Sequence, residues 1–331
     1  MSSSPAIEVR QLRKVFSSIK KAPGLVGTVK SLFRPERVEK EAVKGIDFVI
    51  EEGEMVGFLG PNGAGKTTTL KMLTGILYPS SGSATVLGFN PWKRDPQMLK
   101  QISIVMGNKQ QLWWDLPAID SFKVLKEIYE ISDSAYKERL EKLTDTLGLG
   151  GLLETQVRKL SLGERMKCEL VAALLHSPRV IFLDEPTLGL DVVSQQKIRE
   201  FLKELHTKEN CTVIMTSHYM QDVEALCDRV IIIDHGAIAF EGNLDQLTSA
   251  FQETRRIQFV FSEAVSKEAL DAYGHVSAHQ PDQATFDVPR HEVAAVVGQV
   301  MAALPVIDVR IEEVEIEEVL RQLFERPATV A

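Results

Sequence analysis

Apolar and polar positions alternate along "AIEVRQL" near the start and along "GIDFVIEEGEMVGFLG" from Gly45, the period of strands with one face on a core. The second run ends in the unbroken apolar stretch "MVGFL", which predicts a buried central strand. Directly after it, Leu70, Leu73 and Leu77 recur at helical spacing, ending at Pro79. Between about 118 and 160 only helical periodicity remains, with Tyr136, Leu140, Leu143 and Leu147 on one face, which predicts a helical insert. Strand patterns return at "RVIFLDE", "CTVIMTSH" and "DRVIIIDHG", separated by helix patterns, as in an α/β body with a mostly parallel sheet. Beyond "FEGNLDQLTSAF" the order is strand, helix, strand, strand, helix, strand. That order predicts a small ferredoxin-like α+β domain, closed by an amphipathic helix carrying Ile316, Val319, Leu320, Leu323 and Phe324 on one face. The expected division is 1–248 for the α/β body, with its helical insert at about 115–165, and 249–331 for the small domain.

With 331 residues, 44% of them hydrophobic, the chain is long enough for one large core and a second smaller one. Its net charge of −8 argues against a general nucleic-acid binder, whose affinity rests on many Lys and Arg contacts to phosphate. Cys168, Cys211 and Cys227 lack ligand or CxxC spacing and are expected to be buried, small apolar residues in a reducing compartment. The N-terminus does not read as a secretory signal, and no apolar run reaches the length of a membrane span. The expectation is a cytoplasmic protein whose membrane contact, if it has one, is peripheral or through a partner.

The run "GPNGAGKTT", Gly60 to Thr68, sits between a predicted buried strand and a predicted helix, the setting a phosphate-binding loop requires. Gly63 and Gly65 let the backbone N–H groups wrap a phosphate, with Gly60, Pro61, Asn62, Ala64 and Thr68 completing the loop. Lys66 would reach the β- and γ-phosphates, and Thr67 would give its hydroxyl to Mg²⁺. In "VIFLDEPT" two carboxylates close an apolar strand, at the sheet end where α/β proteins bind ligands. Asp184 would hold Mg²⁺ and Glu185 would act as the general base on water.

Between these motifs lies "LSLGERMKCELVAALLHSP", and after them "DEPTLGLD" and "TSH". The series resembles that of ABC transporter ATPases over roughly residues 5 to 245. The resemblance implies a P-loop NTPase fold, a RecA-like core with an antiparallel β-subdomain and a helical subdomain. It also implies ATP hydrolysis at two sites across a head-to-tail homodimer, with Ser161 and Gly163 of one copy closing over ATP bound at Lys66 of the other. Asp191 would then couple the two sites and His218 would sense the γ-phosphate. An integral membrane permease would be the partner, and the chain would sit on the cytoplasmic face of the plasma membrane. The closing "EIEEVLRQLF" resembles ATPases of drug, polysaccharide and lipid exporters, so export is favoured; a soluble ATPase acting on ribosomes or DNA is the alternative. The signature departs from Leu-Ser-Gly-Gly-Gln at Leu162 and Glu164, and Glu164 is expected to point outward. At the Q-loop position stands Asn108, with Gln110 and Gln111 close by as candidates for the contact to Mg²⁺ and water. Phe16, near the end of the first strand, is the candidate to hold adenine.

Two features lie outside these motifs. From Arg13 to Lys44 there are nine Lys or Arg against three Glu, around a short amphipathic pattern at Leu25, Val26, Val29, Leu32 and Phe33. Residues 20 to 38 therefore suit anionic lipid or a permease, or fold back on their own subdomain. In "GNKQQLWWDLP", Trp113 and Trp114 are neighbours, so one ring is expected to pack under the insert and the other to anchor a permease helix.

Overall fold

A computed structural model describes residues 4–19, 37–107, 110–217, 219–227, 229–244, 246–247 and 254–312. The amphipathic pattern at 25–33, Asn108, His218 and the helix expected after residue 315 lie outside them. The chain divides into two compact units, Met1–Gly242 and Asn243–Ala331.

In the first unit the strands, in chain order, are β1 (Ile7–Ile19), β2 (Arg37–Ile50), β3 (Met55–Leu59), β4 (Ser81–Val86), β5 (Ile102–Met106), β6 (Val180–Asp184), β7 (Thr212–Thr216), β8 (Arg229–Asp234) and β9 (Ala237–Asn243). Strands β2-β1-β4 form an antiparallel sheet, and β5-β6-β7-β3-β8-β9 form the main sheet, parallel from β5 through to β8. The all-apolar reading of "MVGFL" is explained by position: β3 lies between β7 and β8, and each of its residues is buried.

The helices are α1 (Lys66–Leu73), α2 (Pro96–Leu99), α3 (Ala118–Ile128), α4 (Asp133–Leu147), α5 (Leu162–Leu174), α6 (Val192–Glu209) and α7 (Met220–Leu226). Helix α1 stops short of the expected Pro79. Gly75 turns left-handed at φ 72°, and the amides of Ile76 and Leu77 bond back to the Lys71 carbonyl at 3.0 and 2.9 Å, so Leu77 falls beyond the helix. The insert is α3 and α4. Ser132 caps α4 at its start and Gly148, left-handed, ends it. Arg139 pins α4 to the end of α6 through a forked pair with Glu209 at 2.5 and 2.7 Å, and its Nε donates to the Leu174 carbonyl at 3.1 Å. All three cysteines are buried, as their spacing suggested.

The second unit runs β10 (Thr254–Phe261), α8 (Lys267–Leu270), β11 (Val276–Gln280), β12 (Gln283–Pro289), α9 (Val293–Ala303) and β13 (Val306–Glu312). Its antiparallel sheet has the order β11-β12-β10-β13, the strand order of the ferredoxin-like split unit, around Ile257, Phe259, Phe286 and Val300.

Candidate functional site

The loop between β3 and α1 is built on glycines, two of which leave no room for a Cβ. A Cβ at Gly60 would stand 2.0 Å from the Ile233 carbonyl oxygen, and at Gly65 (φ 116°) 2.5 Å from that of Ala42. Gly63 is also left-handed, at φ 81°, with open space where a Cβ would be. The loop thus wraps a cleft of about 210 Å³ lined by Phe16, Lys40, Asn62, Gly63, Lys66 and Glu185, among others.

Lys66 is 5% exposed and donates to the carbonyls of Gly60 at 2.5 Å and Pro61 at 3.2 Å. Burial pushes its ammonium below the usual lysine value, opposed by the charges of Glu185 and Asp184. At the foot of the cleft the Thr67 hydroxyl donates to both oxygens of Asp184, at 2.9 and 3.1 Å. Thr216, at the end of β7, also donates to Asp184, at 2.8 Å, and its hydroxyl accepts from the Glu185 amide at 3.0 Å. A hydroxyl and a carboxylate side by side beside a phosphate loop are the hard oxygen donors that suit Mg²⁺. Glu185 itself has a left-handed backbone, φ 57°.

Ser161 is the N-cap of α5 and shares a capping box with Glu164. The expectation that Glu164 points outward is not met. Its carboxylate turns back to accept from both the Ser161 amide and the Ser161 hydroxyl, because a glutamate at that position of a helix satisfies the orphan N-terminal donors. These donors hold the Glu164 carboxyl below the usual range. Leu162, where the signature has Gly, is 37% exposed and meets the turn at Gly189: its Cδ2 would lie 3.2 Å from a Cβ there. Gly163 has no such latitude, since a Cβ would sit 2.4 Å from Ser194 Oγ. Asp191 caps α6, accepting from the Ser194 amide at 2.9 Å and hydroxyl at 2.6 Å.

Asn108 and His218 are outside the described residues, but their flanks are fixed. The Gly107 amide donates to the Asp184 carbonyl at 2.9 Å, bringing the end of β5 beside the acid pair. Ser217 accepts from the Tyr219 amide at 3.0 Å and donates to Asp222 at 2.9 Å; Asp222 also receives Thr187 and Arg199. Phe16 lines the cleft, 41% exposed, with Lys14 Nζ 5.3 Å from its ring centroid. Of the Q-loop candidates, Gln110 is exposed, and Gln111 sends its side-chain amide to the Ile104 carbonyl, away from Asp184.

Sequence reasoning missed Lys40, Thr216, Asp222 and Glu169. Lys40 faces the cleft because it pairs with Phe16 across β1 and β2. A charge inside the apolar run "CELVAALL" was the available sign for Glu169.

Trp113 and Trp114 are 49% and 44% exposed, so neither ring is packed under the insert as expected of one of them. The Trp114 ring lies 5.1 Å from the Arg165 guanidinium. A more apolar groove of about 420 Å³ is lined by Ile76, Leu99, Ile102, Ile104, Gln111 and Tyr129, among others.

Comparison with known proteins agrees with this geometry. Residues 43–188 match the family described as "ABC transporter", and residues 253–312 match "EvrA-like ABC transporter, C-terminal domain". The ABC transporter ATP-binding protein NatA of Bacillus subtilis (strain 168) is 34% identical over 229 residues, 69% of this chain and 92% of that protein. The daunorubicin/doxorubicin resistance ATP-binding protein DrrA of Streptomyces peucetius is 29% identical over 295 residues, 87% and 89% of the two chains. A dimeric ATP-binding cassette in a post-hydrolysis state with ADP and phosphate shares the fold, with TM-score 0.59 and 23% identity over 72% of this chain and 98% of that one. With a phosphate loop, an acid pair and a capped signature helix assembled on one parallel sheet, and a relative matched over nearly its whole length, the chain belongs to the ATP-hydrolysing, ATP-binding proteins of ABC transporters.

Proposed function

We propose that this chain powers an exporter: it binds MgATP as a homodimer, hydrolyses it, and drives a separate integral membrane permease from the cytoplasmic face. The observation that carries the site is the Thr67 hydroxyl held 2.9 Å from Asp184 beneath Gly63, Lys66 and Glu185. In this reading Thr67 and Asp184 hold Mg²⁺, which neutralises charge on the phosphates when bound. Lys66 and the amides from Asn62 to Thr68 hold the phosphates, and Phe16 stacks on adenine with Lys40 beside it. Glu185 orients water and takes its proton, and His218 and Asn108 complete the surroundings of the γ-phosphate. Ser161, Gly163 and Glu164 of the partner copy face that phosphate, with Asp191 linking the two sites. Leu162, Leu188, Val192 and Val193, all exposed, give this face the apolar area that a partner copy would cover.

The groove of Ile76, Leu99, Ile102 and Ile104, which Gln111 also lines, together with the exposed Trp113 and Trp114 that follow Gln111 in the chain, is the surface for a cytoplasmic helix of the permease. Among the described residues no helix is long and apolar enough to cross a membrane, so the permease supplies the path. Export is favoured by the likeness to a drug-resistance ATP-binding protein over most of the chain. The basic stretch at 20–38 adds a contact with anionic lipid, and nucleic acid has no part in the function. Purification of a Glu185→Gln variant in mild detergent with MgATP tests the reading. A polytopic membrane protein is expected to co-purify; ribosomal proteins or DNA in its place would overturn it.

A further inference from the structure

We infer that Glu169 is a positioning residue for ATP hydrolysis: its carboxylate fastens residues 111–116 to the signature helix, so that this segment and Ser161 move as one body. The inference rests on the reading of the apolar groove, which Gln111 lines, as the permease surface. Glu169 lies in the second turn of α5 and is 4% exposed. It accepts from the Gln111 amide at 3.1 Å on both oxygens and from the Leu112 amide at 3.3 Å. One turn earlier on the same helix face, Arg165 lies against the Trp114 ring. The strip is also tied to the residues that lead into the signature. Val157 donates to the Leu116 carbonyl and Arg158 to the Trp114 carbonyl, both at 3.0 Å.

Residues 111–116 are therefore held at the entry to α5 and again along its first two turns. Sliding the strip off Glu169 would strand two amides and a carboxylate in a buried place, which opposes independent motion. The Trp113 amide donates to the Ser121 hydroxyl at 3.1 Å, so α3 is carried with the strip. A push at the groove thus arrives at Ser161 as a displacement, and closure of Ser161 on phosphate is returned to Trp113 and Trp114. Burial raises the Glu169 carboxyl above its usual range, opposed by the two amides and by Arg165, which places the group among those that the fold retains at a cost.

Tryptophan emission reads this motion. In the full chain carrying Trp92→Phe and Glu185→Gln, the remaining emission comes from Trp113 and Trp114, since the sequence has three tryptophans. MgATP is expected to shift that emission. Glu169→Gln, whose amide oxygen still accepts, keeps the shift. Glu169→Met, of similar length and without an acceptor, loses roughly three quarters of it while ATP affinity stays within about threefold, a split that a general loss of stability would not produce. A shift that persists in ATP-binding Glu169→Met, or that is absent from a parent that binds ATP, overturns the inference. Should Glu169→Met not fold, Glu169→Asp, one methylene too short for the amides, decides by the same criterion. A parent that fails to bind MgATP would instead overturn the transporter-ATPase reading.

Discussion

Glu164 Oε2 stands 2.8 Å from both the backbone nitrogen and the hydroxyl oxygen of Ser161, so the residue that would face a partner's phosphate is already engaged by a carboxylate. Glutamine at 164 retains the capping box and removes the charge. One carboxylate charge at such an accessible place weakens binding of a polyanion by roughly 1 kcal/mol, about fivefold. Glu164→Gln is therefore expected to raise ATP affinity about fivefold with little change in thermal stability. Because the folded carboxyl is held below its usual range, the capping contribution is present above that range and fades only as pH falls through the lowered value. The ratio of variant to parent affinity should accordingly be flat from pH 6 to 8; titration of both proteins with MgATP across that range checks it.

Trp113→Ala and Trp114→Ala should both give folded proteins. Each ring is nearly half exposed, so each substitution costs roughly 1–2 kcal/mol, with part of the Trp114 cost coming from its contact with Arg165. Thermal melting should fall by about 2–8 °C and basal ATP hydrolysis should stay within about twofold, while stimulation by a reconstituted permease is lost. A loss above about 15 °C in either variant would place that ring in the core.

His176 makes stability depend on pH. Its ring stacks on Tyr129 with centroids 3.8 Å apart, its Nε2 lies 3.1 Å from the Ile102 carbonyl, and its buried Nδ1 has no partner among the described residues. Burial lowers its pKa, the Ile102 carbonyl opposes this, and Arg139 lowers it further. The unfolded chain therefore binds a proton more readily, and stability falls as pH drops below the ordinary imidazole value of about 6.5. His176→Phe retains the stack and should flatten that part of the curve, measured as urea midpoints from pH 8 to 5. An unchanged slope would assign the dependence to another group.

The cysteines should be silent in the folded protein. Burial pushes the thiols of Cys168 and Cys211 up to about 12, and Cys227 is buried as well. A thiol reagent at pH 8 is expected to label none of the three until denaturant is added. Labelling of the native protein would show that α5 or the start of β7 opens.

What could be read in the sequence follows from how locally each feature is determined. The phosphate loop, the acid pair and the βαββαβ order are carried by contiguous residues whose spacing states their geometry, and the expected elements coincide with β6 and β10 to β13 and with the start of α1. Features set by long-range contact were out of reach. Thr216 meets Asp184 across 32 positions, and Glu169 meets Gln111 across 58. The orientation of Glu164 depends on two opposed effects, repulsion by a phosphate of the partner copy and attraction by the helix-end donors of Ser161, and the donors prevail. The neighbouring tryptophans were assigned by strand alternation, whereas residues 110–117 lie outside any strand and turn both rings toward solvent.

The left-handed backbone at Glu185 has an evolutionary consequence. A residue with a Cβ held at φ 57° costs about 1 kcal/mol, and glycine there would relieve it. Glu185→Gly should thus melt higher than the parent while losing hydrolysis. Selection for folding alone would therefore not preserve the residue proposed as the base of the site.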